Sequence, residues 1–277
     1  MQRILAATDG SPDGQAALRW AVDLARAASA ELLVTTAWRP EYSEVPPEQY
    51  DDLREQARQR LDDDHCGDVR DAGVPYRCVV LGGDPRAVIL AAADDLDADL
   101  VVVGTRGMGR RHHALHLGSV AHHLAHHSTR PLATIPASAR TSWPTTVLVG
   151  VDGSERGAHA LAWAAELATS MHSDLVAAYA EAPPAEWVPH DDPKSWYQSA
   201  TRDLDGWVAP YATPEHPIRT VVVDHEPGPG IADAATRERA GLIVVGARGS
   251  GPVTGVRLGS TAFKVLHQSQ LPVVIVP

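Results

Sequence analysis

Gly246-Ala-Arg-Gly249, followed after nine residues by Gly259-Ser260, decides how this chain reads. An apolar run, Leu242-Ile-Val-Val245, precedes it, and Thr261-Ala-Phe-Lys-Val-Leu-His267 follows. The order is strand, glycine-rich loop, helix. Glycine has no Cβ, so such a loop can take positive φ and bring backbone N–H groups close to a ligand. The start of a helix adds unpaired N–H donors and the positive end of its dipole, which together suit a phosphate. The same arrangement stands earlier in the chain: Gly104-Thr-Arg-Gly107, ten residues, then Gly118-Ser119.

Working outward, the whole chain is two copies of one unit. Ala7-Thr-Asp-Gly-Ser11 opens the first half and Gly150-Val-Asp-Gly-Ser154 the second. Asp9 and Asp152 are 143 residues apart, as are Trp20 and Trp163; Gly104 and Gly246 are 142 apart, and Pro131 and Pro272 are 141 apart. So slow a drift means duplication. The expected domains are 1–138 and 145–277, with 139–144 as a polar, proline-containing linker.

Each unit alternates strand and helix. In the first, the patterns place strands near 3–7, 31–37, 76–81, 100–103 and 132–135, and helices near 12–28, 48–72, 85–95 and 118–128. Ala17, Trp20, Ala21, Leu24 and Ala28 make one apolar helix face, with Ser11 as N-cap and Pro12 at the first helical position. Ser154, Leu161, Trp163, Ala164 and Leu167 repeat it. Leu100-Val-Val-Val103 is apolar without alternation, as in a strand covered on both faces. The expected fold is α/β: two tandem doubly wound, open, five-stranded parallel sheets of Rossmann-like type. Ligands in such sheets sit at the carboxyl ends of the strands where strand order reverses. Asp9 and Gly104 would meet there.

At 277 residues, with 44% hydrophobic and 21% charged residues, the composition is that of a globular protein of two domains. There is no apolar run long enough to cross a bilayer and no signal-like segment, so a cytoplasmic location is expected. A net charge of −11 argues against broad nucleic-acid binding. Cys66 and Cys78 have no C-x-x-C spacing and read as reduced, partly buried residues.

The two glycine patterns, each with its upstream Asp turn, resemble the universal stress protein family in its tandem, ATP-binding form. The family pattern, G-x2-G-x9-G-[S/T], is met by Gly246, Gly249, Gly259 and Ser260, and with one extra residue by Gly104, Gly107, Gly118 and Ser119. The resemblance covers essentially the whole chain. It implies one adenine-nucleotide site per repeat, holding ATP with or without Mg²⁺, in a non-enzymatic stress-response or signalling role. Two other classes stay open: a slow ATPase or nucleotide-cleaving enzyme, and an interaction module with vestigial sites.

The resemblance also implies roles for residues. Asp9 and Asp152 would accept hydrogen bonds from the adenosine, with Ala7, Thr8 and Gly10, and Gly150, Val151 and Gly153, beside them. Ala37 and Ala180 would lie near the adenine, and Val103 and Val245 beneath the nucleoside. Gly104, Thr105, Arg106, Gly107, Gly109, Gly118, Ser119 and Val120 would surround the phosphates of the first site. Gly246, Ala247, Arg248, Gly249, Ser250, Gly251, Arg257, Gly259, Ser260 and Thr261 would do so in the second. Read from the loops themselves, Arg106, Arg110 and Arg111 in the first and Arg248 and Arg257 in the second are candidate phosphate partners, each weighed against a solvated cation. The family's domains commonly pair through the last strand, so a homodimer is expected, with the repeats as a pseudo-dimer within the chain.

Seven of the fourteen histidines fall at 112, 113, 116, 122, 123, 126 and 127. The pairs His122/His126 and His123/His127 have a helical spacing that can hold a metal, or simply form a solvated face. The proline-rich stretches 39–47 and 181–189 read as loops that cover a ligand, contact a partner, or merely connect. Neither a Walker A lysine nor a G-x-S-x-G nucleophile turn is present.

Overall fold

A computed structural model describes residues 1–38, 49–108, 117–139, 143–182, 193–249 and 258–277. The proline-rich stretch 39–47 and almost all of 181–189 lie outside the described residues. The chain divides into two units, Met1–Trp143 and Pro144–Pro277.

The first unit runs β1 (Arg3–Ala7), α1 (Pro12–Ala28), β2 (Glu31–Trp38), α2 (Tyr50–His65), α3 (Gly67–Asp71), β3 (Tyr76–Gly82), α4 (Pro85–Asp95), β4 (Leu100–Gly104), α5 (Ser119–His127) and β5 (Leu132–Ile135). The expected single helix over 48–72 is two helices. Cys66 separates them with φ −97° and ψ 12°, and Gly67 follows. Glycine is a weaker helix former than alanine by about 1 kcal/mol, which lowers the cost of interrupting the helix at this point.

The second unit repeats the order: β6 (Thr146–Gly150), α6 (Glu155–Met171), β7 (Asp174–Ala180), α7 (Pro193–Val208), β8 (Ile218–Val223), α8 (Pro227–Arg237), β9 (Leu242–Gly246), α9 (Ser260–Gln268) and β10 (Val273–Val276).

Within the first unit the parallel strands lie in the order β3-β2-β1-β4-β5. In the second they lie in the order β8-β7-β6-β9-β10, again all parallel. Strand order therefore reverses between β1 and β4, and between β6 and β9. The register places Ala7 beside Val103, and Gly150 beside Val245. The two carboxyl ends that carry the Asp and glycine turns are thus neighbours in each unit.

The core follows from the apolar patterns. Leu100, Val101, Val102 and Val103 are all buried, and so are Leu242, Ile243, Val244 and Val245. On α1, Ala17, Trp20, Ala21 and Leu24 are buried. Trp20 also meets Trp143, their ring centroids 5.1 Å apart. Ser11 and Ser154 cap α1 and α6, each hydroxyl accepting the N–H of the glycine three residues on, at 3.1 and 3.0 Å. No helix among the described residues is long and apolar enough to cross a membrane.

Candidate functional site

In the first unit, a cavity of about 470 Å³ opens where strand order reverses. Ala7, Thr8 and Asp9 come to it from the end of β1, Thr36 and Ala37 from β2, and Val103 to Met108 from β4 and its loop. Leu117 to Ala121 bring the start of α5, and Pro85 and Ile89 the first turns of α4. Of the expected first-site residues, Gly10 is not among the lining residues, and Gly109 lies outside the described residues. The remaining ones come together here.

The turn after β1 is tied to the loop after β4 by a carboxylate. Asp9 Oδ1 accepts the Ser11 N–H at 3.0 Å, and Oδ2 accepts the Met108 N–H at 2.9 Å. Gly107 is glycine for a reason the sequence did not show. A Cβ there would stand 2.6 Å from Asp9 Oδ2. Likewise a Cβ on Gly104 would stand 2.6 Å from the backbone of Asp13 and Gly14. The glycines let the loop close on its own protein, at the start of α1, besides leaving room for a ligand.

Several expected phosphate donors are already committed inside the loop. The Thr105 N–H donates to Ile135, and the Gly118 N–H donates to the Thr105 carbonyl at 2.8 Å. The Arg106 N–H and its Nε–H both donate to Asp13 Oδ2, at 3.0 and 3.2 Å. What remains is the first turn of α5. Its cap is Gly118, with no side chain to accept the leading N–H groups. Gly118, Ser119, Val120 and Ala121 line the cavity, so the positive end of the helix lies at it.

The second unit reproduces this frame. Asp152 Oδ1 accepts the Ser154 N–H at 3.1 Å and its hydroxyl at 2.6 Å. Gly249 closes on the Asp152 carboxylate as Gly107 does on Asp9, and Gly246 closes on the backbone of Arg156. The Gly259 N–H donates to the Ala247 carbonyl at 2.7 Å, and Gly259 caps α9 without a side chain. Val151, Ala180, Val245 and Ala247 are buried, Gly153 and Ser260 are exposed, and Thr261 is half-buried. Ser250, Gly251 and Arg257 lie outside the described residues, as do Arg110 and Arg111.

Two differences separate the units. Trp207 of α7 lies against Gly153, where the first unit sets His65 of α2 against Gly10. The larger difference is electrostatic. Asp13, only 7% exposed, neutralises Arg106 in the first unit, while Arg156 occupies the corresponding position in the second. Arg248, the counterpart of Arg106, has a buried Nε with no hydrogen-bond partner. Aligning the two halves could have found this, since within D-G-S-x-x-G only that position inverts its charge. Composition could not.

Of the histidines, 112, 113 and 116 lie outside the described residues. On α5 the pairs form as spaced: His122 and His126 have ring centroids 4.6 Å apart, and His123 and His127 stack at 4.1 Å. Burial and the neighbouring His127 hold His123 below the usual imidazole range. Among the described residues no set of three possible metal ligands includes them.

The universal stress protein family matches residues 1–136 and 144–277. Universal stress protein Rv2623 of Mycobacterium tuberculosis is 32% identical over 287 residues, covering 98% of this chain and 95% of its own length. A universal stress protein from Archaeoglobus fulgidus has the same fold, at 22% identity and a TM-score of 0.75 over 99% of this chain and 97% of that one. A universal stress protein solved in complex with cAMP aligns with 51% of this chain and 98% of its own, at 25% identity and a TM-score of 0.40. With a family match in each half and relatives of the same full length, the chain belongs to the universal stress protein family, as a tandem of two such domains.

Proposed function

We propose that each unit holds one adenine nucleotide, ATP in particular, as a bound signal or structural ligand. The observation that carries this reading is the cavity of about 470 Å³ whose rim is the uncapped start of α5. Apolar Ala37, Val103 and Ile89 suit a purine, and open N–H groups at a helix start suit the phosphates. Mg²⁺ would accompany the phosphates rather than find a carboxylate cage, because the Asp9 oxygens already accept backbone N–H groups.

The two units favour different phosphate loads. Among the described residues Arg248 Nε is buried without a hydrogen-bond partner, and Arg156 stands where the first unit has the Asp13 that pairs with Arg106. The second site therefore discriminates more strongly for a triphosphate over a monophosphate.

Ser119→Asp and Ser260→Asp test the reading. An acidic residue in the first turn favours the helix by about 0.3–1 kcal/mol while repelling a phosphate. The doubly substituted chain should melt no lower than the natural one and take up ATP at least about tenfold more weakly. Unchanged uptake would overturn the placement of the phosphates. Recovery of ADP or AMP from ATP would assign the site to hydrolysis instead.

A further inference from the structure

Away from the nucleotide pocket, the C-cap of α2 faces the edge strand β3 across a small polar cluster. Cys66 is fully buried, Cys78 is half-buried, and their sulfurs are 3.5 Å apart. Both are free thiols. Asp62, one turn before Cys66, lies 3.7 Å from Cys78 Sγ through Oδ1. That carboxylate is already held on both oxygens, Oδ1 by the Tyr76 hydroxyl at 2.8 Å and Oδ2 by Arg70 at 3.1 Å.

We propose that Cys66 and Cys78 are a reversible thiol–disulfide pair, oxidised by hydroperoxides, in which Cys78 reacts first and Cys66 resolves. Access sets the order, since Cys66 is enclosed and only Cys78 reaches the surface. With the Cys66 thiol donating toward Cys78, Cys78 is held below its ordinary range, although burial and the Asp62 carboxylate, which accepts from Cys78 Sγ, push the other way. The same thiol–thiol bond and burial push Cys66 up. The more accessible sulfur is thus the better nucleophile.

The Cys78 thiolate attacks the outer peroxide oxygen, the O–O bond breaks, and the alkoxide leaves as alcohol with the proton from the Cys78 thiol. Cys78 is then a sulfenic acid. Cys66 sulfur attacks Cys78 sulfur, the S–O bond breaks, and hydroxide leaves as water with the Cys66 proton. Two thiols and one hydroperoxide give one disulfide, one alcohol and one water. A disulfide needs sulfurs about 2 Å apart, so the two sulfurs must close from 3.5 Å.

A metal ion is the competing occupant, because Asp62, Cys66 and Cys78 present ligand atoms within 4.8 Å of one another. The Arg70 guanidinium on Asp62 opposes it by placing a cation on the carboxylate that a metal would need.

The full chain, reduced and then exposed to cumene hydroperoxide, tests this by intact mass and thiol labelling. The expected result is a loss of about 2 Da with both thiols blocked, reversed by a dithiol reductant. Cys66→Ser should halt at a Cys78 sulfenic acid that dimedone traps, and Cys78→Ser should leave Cys66 unoxidised. Two thiols still labelled, a gain of about 32 Da without a cross-link, or a stoichiometric metal released by a chelator from the natural chain would each overturn the proposal. Because the natural chain is measured directly, a variant that fails to fold leaves the result readable.

Discussion

Arg248 is the residue whose surroundings say most about its role. A buried guanidinium nitrogen without an acceptor is costly to leave so, and a phosphate oxygen would satisfy it. Charge-assisted bonds of this kind are worth roughly 1.5–3 kcal/mol, so Arg248→Gln should weaken ATP roughly 10- to 100-fold in the second site. Adenosine, which has no phosphate, should bind nearly unchanged, and calorimetry with both ligands separates the cases. The glycine next to an acid makes a stability prediction. Gly107→Ala forces a Cβ to 2.6 Å from Asp9 Oδ2, and overpacking of this kind costs about 1–3 kcal/mol, read as a lowered Tm. At this scale the sequence was legible in part. Spacing identified Gly104 and Gly107, yet their contacts with Asp13 and Asp9 are made across the sheet, where no local pattern reports them. The same holds for Asp13 itself, which looked like an ordinary first-turn acid until the fold brought Arg106 to it.

At the scale of elements, periodicity and capping placed most of the first unit. Ser11 with Pro12 marks the start of α1, and the unbroken apolar run of β4 marks a strand covered on both faces. The break between α2 and α3 was not legible, because the charged residues before Cys66 continue a helical pattern and only Gly67 argues against it. That break places Cys66 opposite β3. A Cys66–Cys78 disulfide closes a loop of 12 residues, for which the chain-entropy relation gives roughly 3 kcal/mol. Hydroperoxide treatment followed by scanning calorimetry should therefore raise the Tm of the natural chain and leave that of Cys78→Ser unchanged. The starts of α5 and α9 matter for the opposite reason. Among the described residues no side chain caps α5 or α9, whereas Ser11 and Ser154 each accept an N–H at the starts of α1 and α6.

At the scale of the whole molecule, the duplication was read directly from the offsets between halves, because a repeated unit repeats its turns as well as its core. What the offsets hid was the divergence between copies: Thr8 against Val151, Asp13 against Arg156, and His65 against Trp207. These changes leave the frame intact and, on the proposed reading, would alter what each copy can hold. A chain with a net charge of −11 would take up an anion only where local donors outweigh the overall field, which on the proposed reading would concentrate binding at the two helix starts. Nucleotide at a hundred times Kd would add about 2.7 kcal/mol of stability per site, so cellular adenylate level would be read as folded-state stability. Equilibrium dialysis of the natural chain against millimolar ATP measures the central claim most directly. The account predicts two intact adenine nucleotides bound per chain; a chain that binds none contradicts it.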